Sequence, residues 1–391
     1  MATADPAPPP RVWPVLAVAA ASAAVSQAFG RFTFSLLFTD VRSDLGLSNS
    51  RAGSLGSANL LAYLTGTLVV SLLVGRVGLS RTTRLGVVGV TTGVALLAWS
   101  PGAAVVAVAL VLTGLFAAGV WVTVPAIAAA AVGPERRGAA IGVVGAGIGV
   151  GIMVAAALHA APFADDWRGV YRVEAVVAVA VAVAALWRLR GSAGPARTGS
   201  GFAAMRSVPA WQRLLLSYGL YGLAMSLMVT FLVAVLKEDA GYSVGEASLA
   251  FFCFGGGTIA GGPLFGPLAD RVGRPRAMHV AYAVMVGSAV LIGTGARPWA
   301  TIAAALFGTA FTGVPTTVAA QMSDAIAAER FGAAYGVATL AFGAGLMIGP
   351  QAGGVVGDVT GSFRPVFWSA AVVAAIAASL VRPGDAVTRR V

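Results

Sequence analysis

Arg31 is the one charged residue in an apolar run that reaches from Val12 to Thr39. A guanidinium in such a setting suits the capture of a carboxylate or another oxyanion, because its planar fork offers paired N–H donors. The competing reading is structural, with Arg31 reaching Asp40, Glu174 or backbone carbonyls, or stacking on Phe29, Phe32 or Phe34. Gln27 and Ser35 lie one helical turn to either side and share its face, so the three side chains form one candidate wall. Asn59 and Tyr63 repeat the four-residue spacing in the next apolar run, where the amide serves either a substrate or an interhelical hydrogen bond. Proton exchange needs a group that titrates in the working range, and the acids best placed for it are Asp40 and Glu174, both read as lying near helix ends.

Nothing in the chain resembles a nucleophile with its base, a carboxylate pair or a His-rich metal set, so neither enzyme chemistry nor a cofactor or metal is expected. The glycines between Gly142 and Gly151 contain G-x-G spacing, but no strand precedes them, and close helix packing accounts for them. The single cysteine, Cys253, sits in an apolar run as a small hydrophobe.

The elements that carry these groups follow from composition. The chain has 391 residues, 58% hydrophobic and 10% charged, with a mean hydropathy of +0.85. That leaves too little polar surface to face water, and the chain reads as an integral membrane protein. Twelve apolar segments can be marked, at about 12–39, 51–74, 83–99, 103–131, 138–161, 169–187, 214–236, 247–268, 277–295, 299–322, 333–356 and 365–381. Lipid supplies no partner for an unpaired backbone group, so segments of this length are helices, and the predicted class is all-α with twelve transmembrane helices. The proline-rich start, 1–11, lacks the positive region of a secretory signal and reads as a tail before an uncleaved first helix.

The basic excess is topological. Placing both termini in the cytoplasm puts 18 of the 26 Lys and Arg residues in inside segments and 7 in outside loops, with Arg31 within a helix. Nucleic-acid binding is therefore not expected, and the partners are the lipid bilayer and a small-molecule substrate. Arg188 to Arg213 is the longest hydrophilic stretch and reads as a cytoplasmic linker, with Phe202, Met205 and Trp211 at the headgroup level. The organisation is thus a tail (1–11), a six-helix half (12–187), the linker (188–213), a second half (214–381) and a C-terminal tail (382–391).

The two halves repeat each other. Residues 135–151 and 329–345 agree at nine of seventeen positions, including Gly138, Ala139, Ala140, Gly142 and Val143 against Gly332, Ala333, Ala334, Gly336 and Val337. Arg76-x-Gly78 recurs as Arg271-x-Gly273, 195 positions on. Parallel six-helix repeats around a central path are a transporter architecture, with substrate held between the halves.

The loop Gly266-Pro-Leu-Ala-Asp270-Arg271-Val-Gly273-Arg274-Pro-Arg276 resembles the G-x-x-x-D-R-x-G-R-[KR] motif of the major facilitator superfamily. The resemblance implies a cytoplasmic gate in which Asp270 holds loop arginines. The first-half copy has Gly75 in place of the acid, so such a gate is asymmetric. Gly345-x-x-x-Gly349-Pro350-x-x-Gly353-Gly354 followed by Asp358 is similar to monocarboxylate-porter-like members, and the fifth helix lacks the proline usual in drug antiporters. Gly30-Arg31-Phe-Thr-Phe-Ser, Asp44-Leu-Gly-Leu-Ser and Ala58-Asn59-Leu-Leu-Ala-Tyr63 resemble the bacterial YbfB/YjiJ-type group. The superfamily's path-lining helices then add Trp121, Tyr218, Tyr221, Met225, Thr312, Thr316 and Thr317 as cavity candidates, and its members are monomers by default.

The expected function is secondary transport of a small solute by alternating access in the bacterial plasma membrane. The substrate reading is a small monocarboxylate-like anion, with proton coupling left open. The alternatives are an exporter of neutral or cationic amphiphiles, and a non-transporting membrane sensor or scaffold.

Overall fold

A computed structural model of the chain describes residues 12–133, 136–189 and 201–382. The tail 1–11, Glu135 of the repeat, linker residues 190–200 and the C-terminal residues 383–391 lie outside the described residues. The long helices are α1 (Val12–Leu36), α2 (Asn49–Val77), α3 (Leu79–Ala98), α4 (Ala103–Ala130), α5 (Arg137–Ala160) and α6 (Trp167–Arg188). They continue as α7 (Trp211–Asp239), α8 (Val244–Val272), α9 (Arg274–Thr294), α10 (Trp299–Ala325), α11 (Ala328–Thr360) and α12 (Arg364–Ser379). Short helices Phe38–Asp44 and Gly201–Met205 complete the described chain.

The protein is an all-α, twelve-helix membrane protein. Ten of the helices are long and apolar enough to cross a membrane by themselves. Of the others, α3 carries Arg81 and Arg84 in its first turns and α12 has only 16 residues. Most helices outrun their apolar segments, because backbone hydrogen bonding continues into polar ends; α11 spans Ala328–Thr360 where hydropathy marks 333–356.

Turn chemistry repeats at the same offset as the sequence. Gly78 and Gly273 end α2 and α8 at φ 87° and φ 90°, a conformation that costs a glycine little and a side chain much. Ser48 and Ser243, also 195 apart, cap α2 and α8 by accepting from Arg51 N and Glu246 N. Packing repeats too: α4 contacts α2 and α3, and α3 contacts α6, as α10 contacts α8 and α9, and α9 contacts α12. The halves meet mainly through two crossed pairs, α2 with α11 and α5 with α8, and the end of α1 with Phe38–Asp44 packs on α7 between them.

Glycines allow the backbones to approach. A Cβ on Gly114 of α4 would fall 2.1 Å from the Asn59 carbonyl oxygen of α2, and one on Gly257 of α8 would fall 2.0 Å from the Ala305 carbonyl oxygen of α10. Helices in lipid gain little from apolar burial, so close van der Waals contact of this kind holds each half together. The linker departs from expectation at Met205, which is fully buried with the helix Gly201–Met205 against α11 instead of lying at a headgroup surface. Phe202 beside it is exposed.

Gly114→Ala is expected to destabilise the protein by about 1–3 kcal/mol through overpacking. Gly142→Ala, whose added methyl meets nothing within 4 Å, is the control. Thermal unfolding of both variants in detergent checks this, with the melting temperature falling by several degrees only for Gly114→Ala.

Candidate functional site

The middle of α1 is wound as a π-helix over Ala24–Phe32, closed by the Thr33 amide donating to the Ala28 carbonyl. The widened turn carries Gln27 and Arg31 and presents Arg31 to the seam between the halves, and such turns recur at functional positions. A small cavity opens at that seam. Arg31, Phe34 and Ser35 of α1 and Gly56, Asn59 and Leu60 of α2 form its first-half wall; Ser226, Val229 and Thr230 of α7 and Pro350 of α11 form the other.

Arg31 has no ion pair among the described residues, and its Nη2 is buried without a hydrogen-bond partner. Its guanidinium carbon lies 5.0 Å from the Phe32 ring centroid, and the phenols of Tyr63 and Tyr221 are its electrostatic neighbours. Neither acid considered as its structural partner reaches it. Glu174 accepts a hydrogen bond from Thr33 Oγ1 at 2.6 Å, and Asp40 faces Lys237. Glu174 is not peripheral: it is fully buried against α1, two residues from Arg31 along that helix through Thr33.

The other predicted residues divide. Gln27 is buried with Nε2 unpartnered. Asn59 Nδ2 donates to Gly30 O at 3.1 Å, Leu110 O at 2.7 Å and Thr113 Oγ1 at 2.9 Å, so its amide hydrogens are committed to joining α1, α2 and α4 even though it touches the cavity. Tyr221 donates to Phe311 O at 2.6 Å and stacks with Tyr218 and Phe342. Trp121 is half-buried on α4, and Thr316 donates back to Thr312 O; neither is among the residues lining the cavity. Leu60, Ser226, Val229 and Thr230 line the cavity without having been singled out, since hydroxyl and apolar residues look alike in sequence whether they face a neighbour or a void.

The motif loop is tied within the second half. Arg274 pairs with Asp270 and, through Nε at 3.0 Å, with Asp324, joining the ends of α8, α9 and α10, while Arg271 and Arg276 are exposed and Gly273 makes the turn. No group of three or more His, Cys, Asp or Glu residues that could hold a metal ion occurs among the described residues.

At the opposite end, where α1 passes into Phe38–Asp44, the halves are bound to each other. Lys237 Nζ donates to Asp40 Oδ1 at 2.7 Å, and Arg42 pairs with Glu238 at 2.8 Å. Arg42 and Lys237 stand 195 positions apart, so each half contributes an equivalent cation to an acid of the other. His159 Nε2 lies 3.0 Å from Asp40 Oδ2, a pair that is charged only when the imidazole is protonated, and its Nδ1 lies 2.9 Å from Ser248 Oγ of α8. Asp358 of α11 accepts from the Asn49 and Ser50 amides, both at 2.8 Å, placing a carboxylate on the positive end of α2.

A two-half helical bundle with a polar cavity at the seam defines a membrane transporter. The sequence comparison is specific: residues 23–382 match the family model described as uncharacterised MFS-type transporter YbfB, and the chain belongs to that major facilitator family. A chloramphenicol resistance protein of Streptomyces lividans is 28% identical over 94% of this chain and 95% of its own length. A probable transporter of Streptomyces coelicolor is 30% identical over 61% of this chain, a match spanning 60% of that relative. Among solved structures, a bacterial homolog of the human lysosomal transporter Spinster, in an inward-facing conformation, shares the fold with a TM-score of 0.74 at 16% identity, covering 98% of this chain and 100% of that one. The chain is a transporter of a bacterial family and not an enzyme, with a small-molecule substrate and the membrane as its surroundings.

A buried cation without a carboxylate contributes little to the fold, whereas an amide with three acceptors contributes more. Arg31→Gln is expected to leave the melting temperature unchanged or higher, and Asn59→Ala to lower stability by about 1–3 kcal/mol by orphaning buried acceptors. Parallel thermal unfolding of the two variants checks the contrast.

Proposed function

We propose that the protein moves a small organic anion, monocarboxylate-like in chemistry, by alternating access, and that Arg31 recognises the anionic group. The observation that carries this reading is the guanidinium at the seam cavity with no carboxylate of its own. An ionised group in such a place is expensive and serves function by default. Phe34, Leu60, Val229 and Pro350 would hold the apolar remainder of the solute, with Ser35, Ser226 and Thr230 as supplementary polar contacts.

The conformation supports rocking halves. Gly53 and Gly56 of α2 press on Pro350 of α11, Gly354 on Asn49, and Gly149 on Gly255, all toward the end bearing Asp40. Toward the other end, Gly138, Gly142 and Gly145 of α5 and Gly332 and Gly336 of α11 would carry a Cβ into open space. With both termini in the cytoplasm, as the arginine distribution favours, this is an inward-facing state closed on the outside. The Asp40 network is then the outer latch and the Asp270–Arg274–Asp324 cluster an element of the inner rim. The protein would act as a monomer in the bacterial plasma membrane, without nucleic-acid partners.

A second reading, export of neutral or cationic amphiphiles with Arg31 structural, draws on the chloramphenicol resistance protein that aligns over almost the whole chain. Ligand-induced thermal stabilisation separates the two, because a ligand that binds only the folded form raises its melting temperature. Short monocarboxylates should raise it by several degrees in wild type and not in Arg31→Gln, with uptake of the same compounds into liposomes. Equal stabilisation of both proteins by cations or neutral amphiphiles would move the assignment to export.

The latch makes a separate prediction. Asp40 lies in Phe38–Asp44, beyond the spanning part of α1; burial raises its pKa, but His159 and Lys237 outweigh burial and hold the carboxyl below its ordinary range. A depressed pKa favours the closed form above the ordinary carboxylate value of about 4, and that contribution is lost as pH falls through the depressed value. Acidifying the outer solution should therefore raise labelling of Thr230→Cys, in a Cys253→Ser background, by an impermeant thiol reagent added outside. Asp40→Asn should label readily at neutral pH and lose the pH dependence.

A further inference from the structure

Two hydroxyls at the seam cavity have no role in the fold. Ser35 and Thr230, 6% and 4% exposed, line the cavity from opposite halves, and neither makes a side-chain hydrogen bond among the described residues. A buried hydroxyl in this bundle commonly donates to a carbonyl of its own helix three or four residues back, as those of Thr67, Thr91 and Thr258 do. Ser226, which lines the same cavity one turn before Thr230, is satisfied in this way by Leu223 O at 3.0 Å. A buried hydroxyl without a partner costs free energy, and at a cavity wall an oxygen entering the cavity recovers it.

The repeat relates these groups to each other. Ser35 and Thr230 stand 195 positions apart, as Arg31 and Ser226 do, so each of two successive levels of the cavity carries a residue of α1 and its counterpart on α7. The end of α1, Thr33–Leu36, packs on α7, which brings the hydroxyl-bearing level to the contact between the halves. At the other level Arg31 Nη2 is buried without a hydrogen-bond partner. The cavity therefore offers an unpaired cation and, one helical turn along, two uncommitted hydroxyls, with Leu60, Val229 and Pro350 as apolar wall.

We infer that the solute is a short carboxylate that also carries a hydroxyl group, with the carboxylate on Arg31 and the hydroxyl between Ser35 and Thr230. A serine or threonine hydroxyl both donates and accepts, so a solute hydroxyl can accept from one of the pair and donate to the other. A plain alkyl carboxylate of the same size satisfies Arg31 and leaves both protein hydroxyls orphaned against its chain. A site built to hydrogen-bond a substrate hydroxyl rejects the analogue that lacks it, and Ser35 and Thr230 are then the residues that set specificity. The charged end of this assignment rests on the anion reading of the cavity, whereas the hydroxyl end stands on Ser35 and Thr230.

Titration calorimetry of the full-length protein in nanodiscs at neutral pH tests both ends. The probes are butyrate, 2-hydroxybutyrate and 3-hydroxybutyrate, with butyramide and 3-hydroxybutyramide as their uncharged counterparts. One of the hydroxybutyrates should bind wild type about tenfold or more tightly than butyrate. That ratio should fall toward unity in Ser35→Ala and in Thr230→Val, which keeps the shape of threonine, and should be retained in Thr230→Ser. Equal affinities of wild type for butyrate and both hydroxybutyrates, or a ratio that persists in both hydroxyl-free variants, overturn the inference. If carboxylates bind wild type and not Arg31→Gln but show no preference for a hydroxyl, the anion reading stands and this inference falls. If 3-hydroxybutyramide outbinds butyramide through Ser35 and Thr230 while no carboxylate outbinds its amide, the hydroxyl site stands and the anion reading falls. Binding of none of the five overturns both.

Discussion

A guanidinium cannot shed its proton to escape a poor environment, so wherever one is buried the surrounding structure must be arranged to tolerate it. At the seam between the two halves, the arrangement around Arg31 consists of a π-wound turn, an aromatic ring beneath the cation, two phenols and a cavity, in place of a carboxylate. The acids that could neutralise it are employed elsewhere: Asp40 joins the halves at one end, and Glu174 is drawn to Thr33. The fold tolerates an imbalance there that a ligand can relieve, and the seam is the place where helices can move apart without exposing backbone to lipid.

The same economy of contact governs the helices. Because lipid competes with side chains for apolar contact, the halves hold together where glycines admit backbones and where polar groups cross between them. Both devices coincide at the latch end: Gly354 lies against Asn49, and Asp358, one turn further along α11, accepts from the Asn49 and Ser50 amides. The contact is small, and it couples the position of α11 to the first turn of α2. A few such contacts are easier to make and break than a continuous apolar interface.

Much of this was legible in the sequence. Twelve apolar runs gave the helices because lipid permits nothing else, and the 195-residue offset between Gly78 and Gly273 carried through to matching positive-φ turns. Arg31 was legible because a charge in an apolar run has no ordinary explanation. Leu60, Ser226, Val229 and Thr230 were not, because the face that a helix turns toward a cavity depends on its rotation, and no residue type announces it. Glu174 was misplaced for a related reason: its distance from the end of α6 suggested the periphery, but burial depends on what α1 lays across it, and Thr33 lies 141 positions away.

The pseudo-symmetry also shows where function departs from architecture. Arg42 and Lys237 occupy equivalent positions and each binds an acid of the opposite half, yet those acids, Glu238 and Asp40, are not equivalent to each other. Likewise Asp44 and Asp239, again 195 apart, tie the ends of α1 and α7 to the starts of α6 and α12, one through Arg168 and the other through backbone amides at Phe363 and Arg364. Positions that only build the bundle keep a counterpart in both halves. Arg31 has Ser226 as its counterpart at the 195-residue offset, on the facing wall of the same cavity, and Glu174 has Ser369, on an exposed face of α12. The charge that breaks the repeat at the seam and the acid that breaks it behind α1 belong to the same half, so the pseudo-symmetry fails where buried charge is placed, in α1–α6.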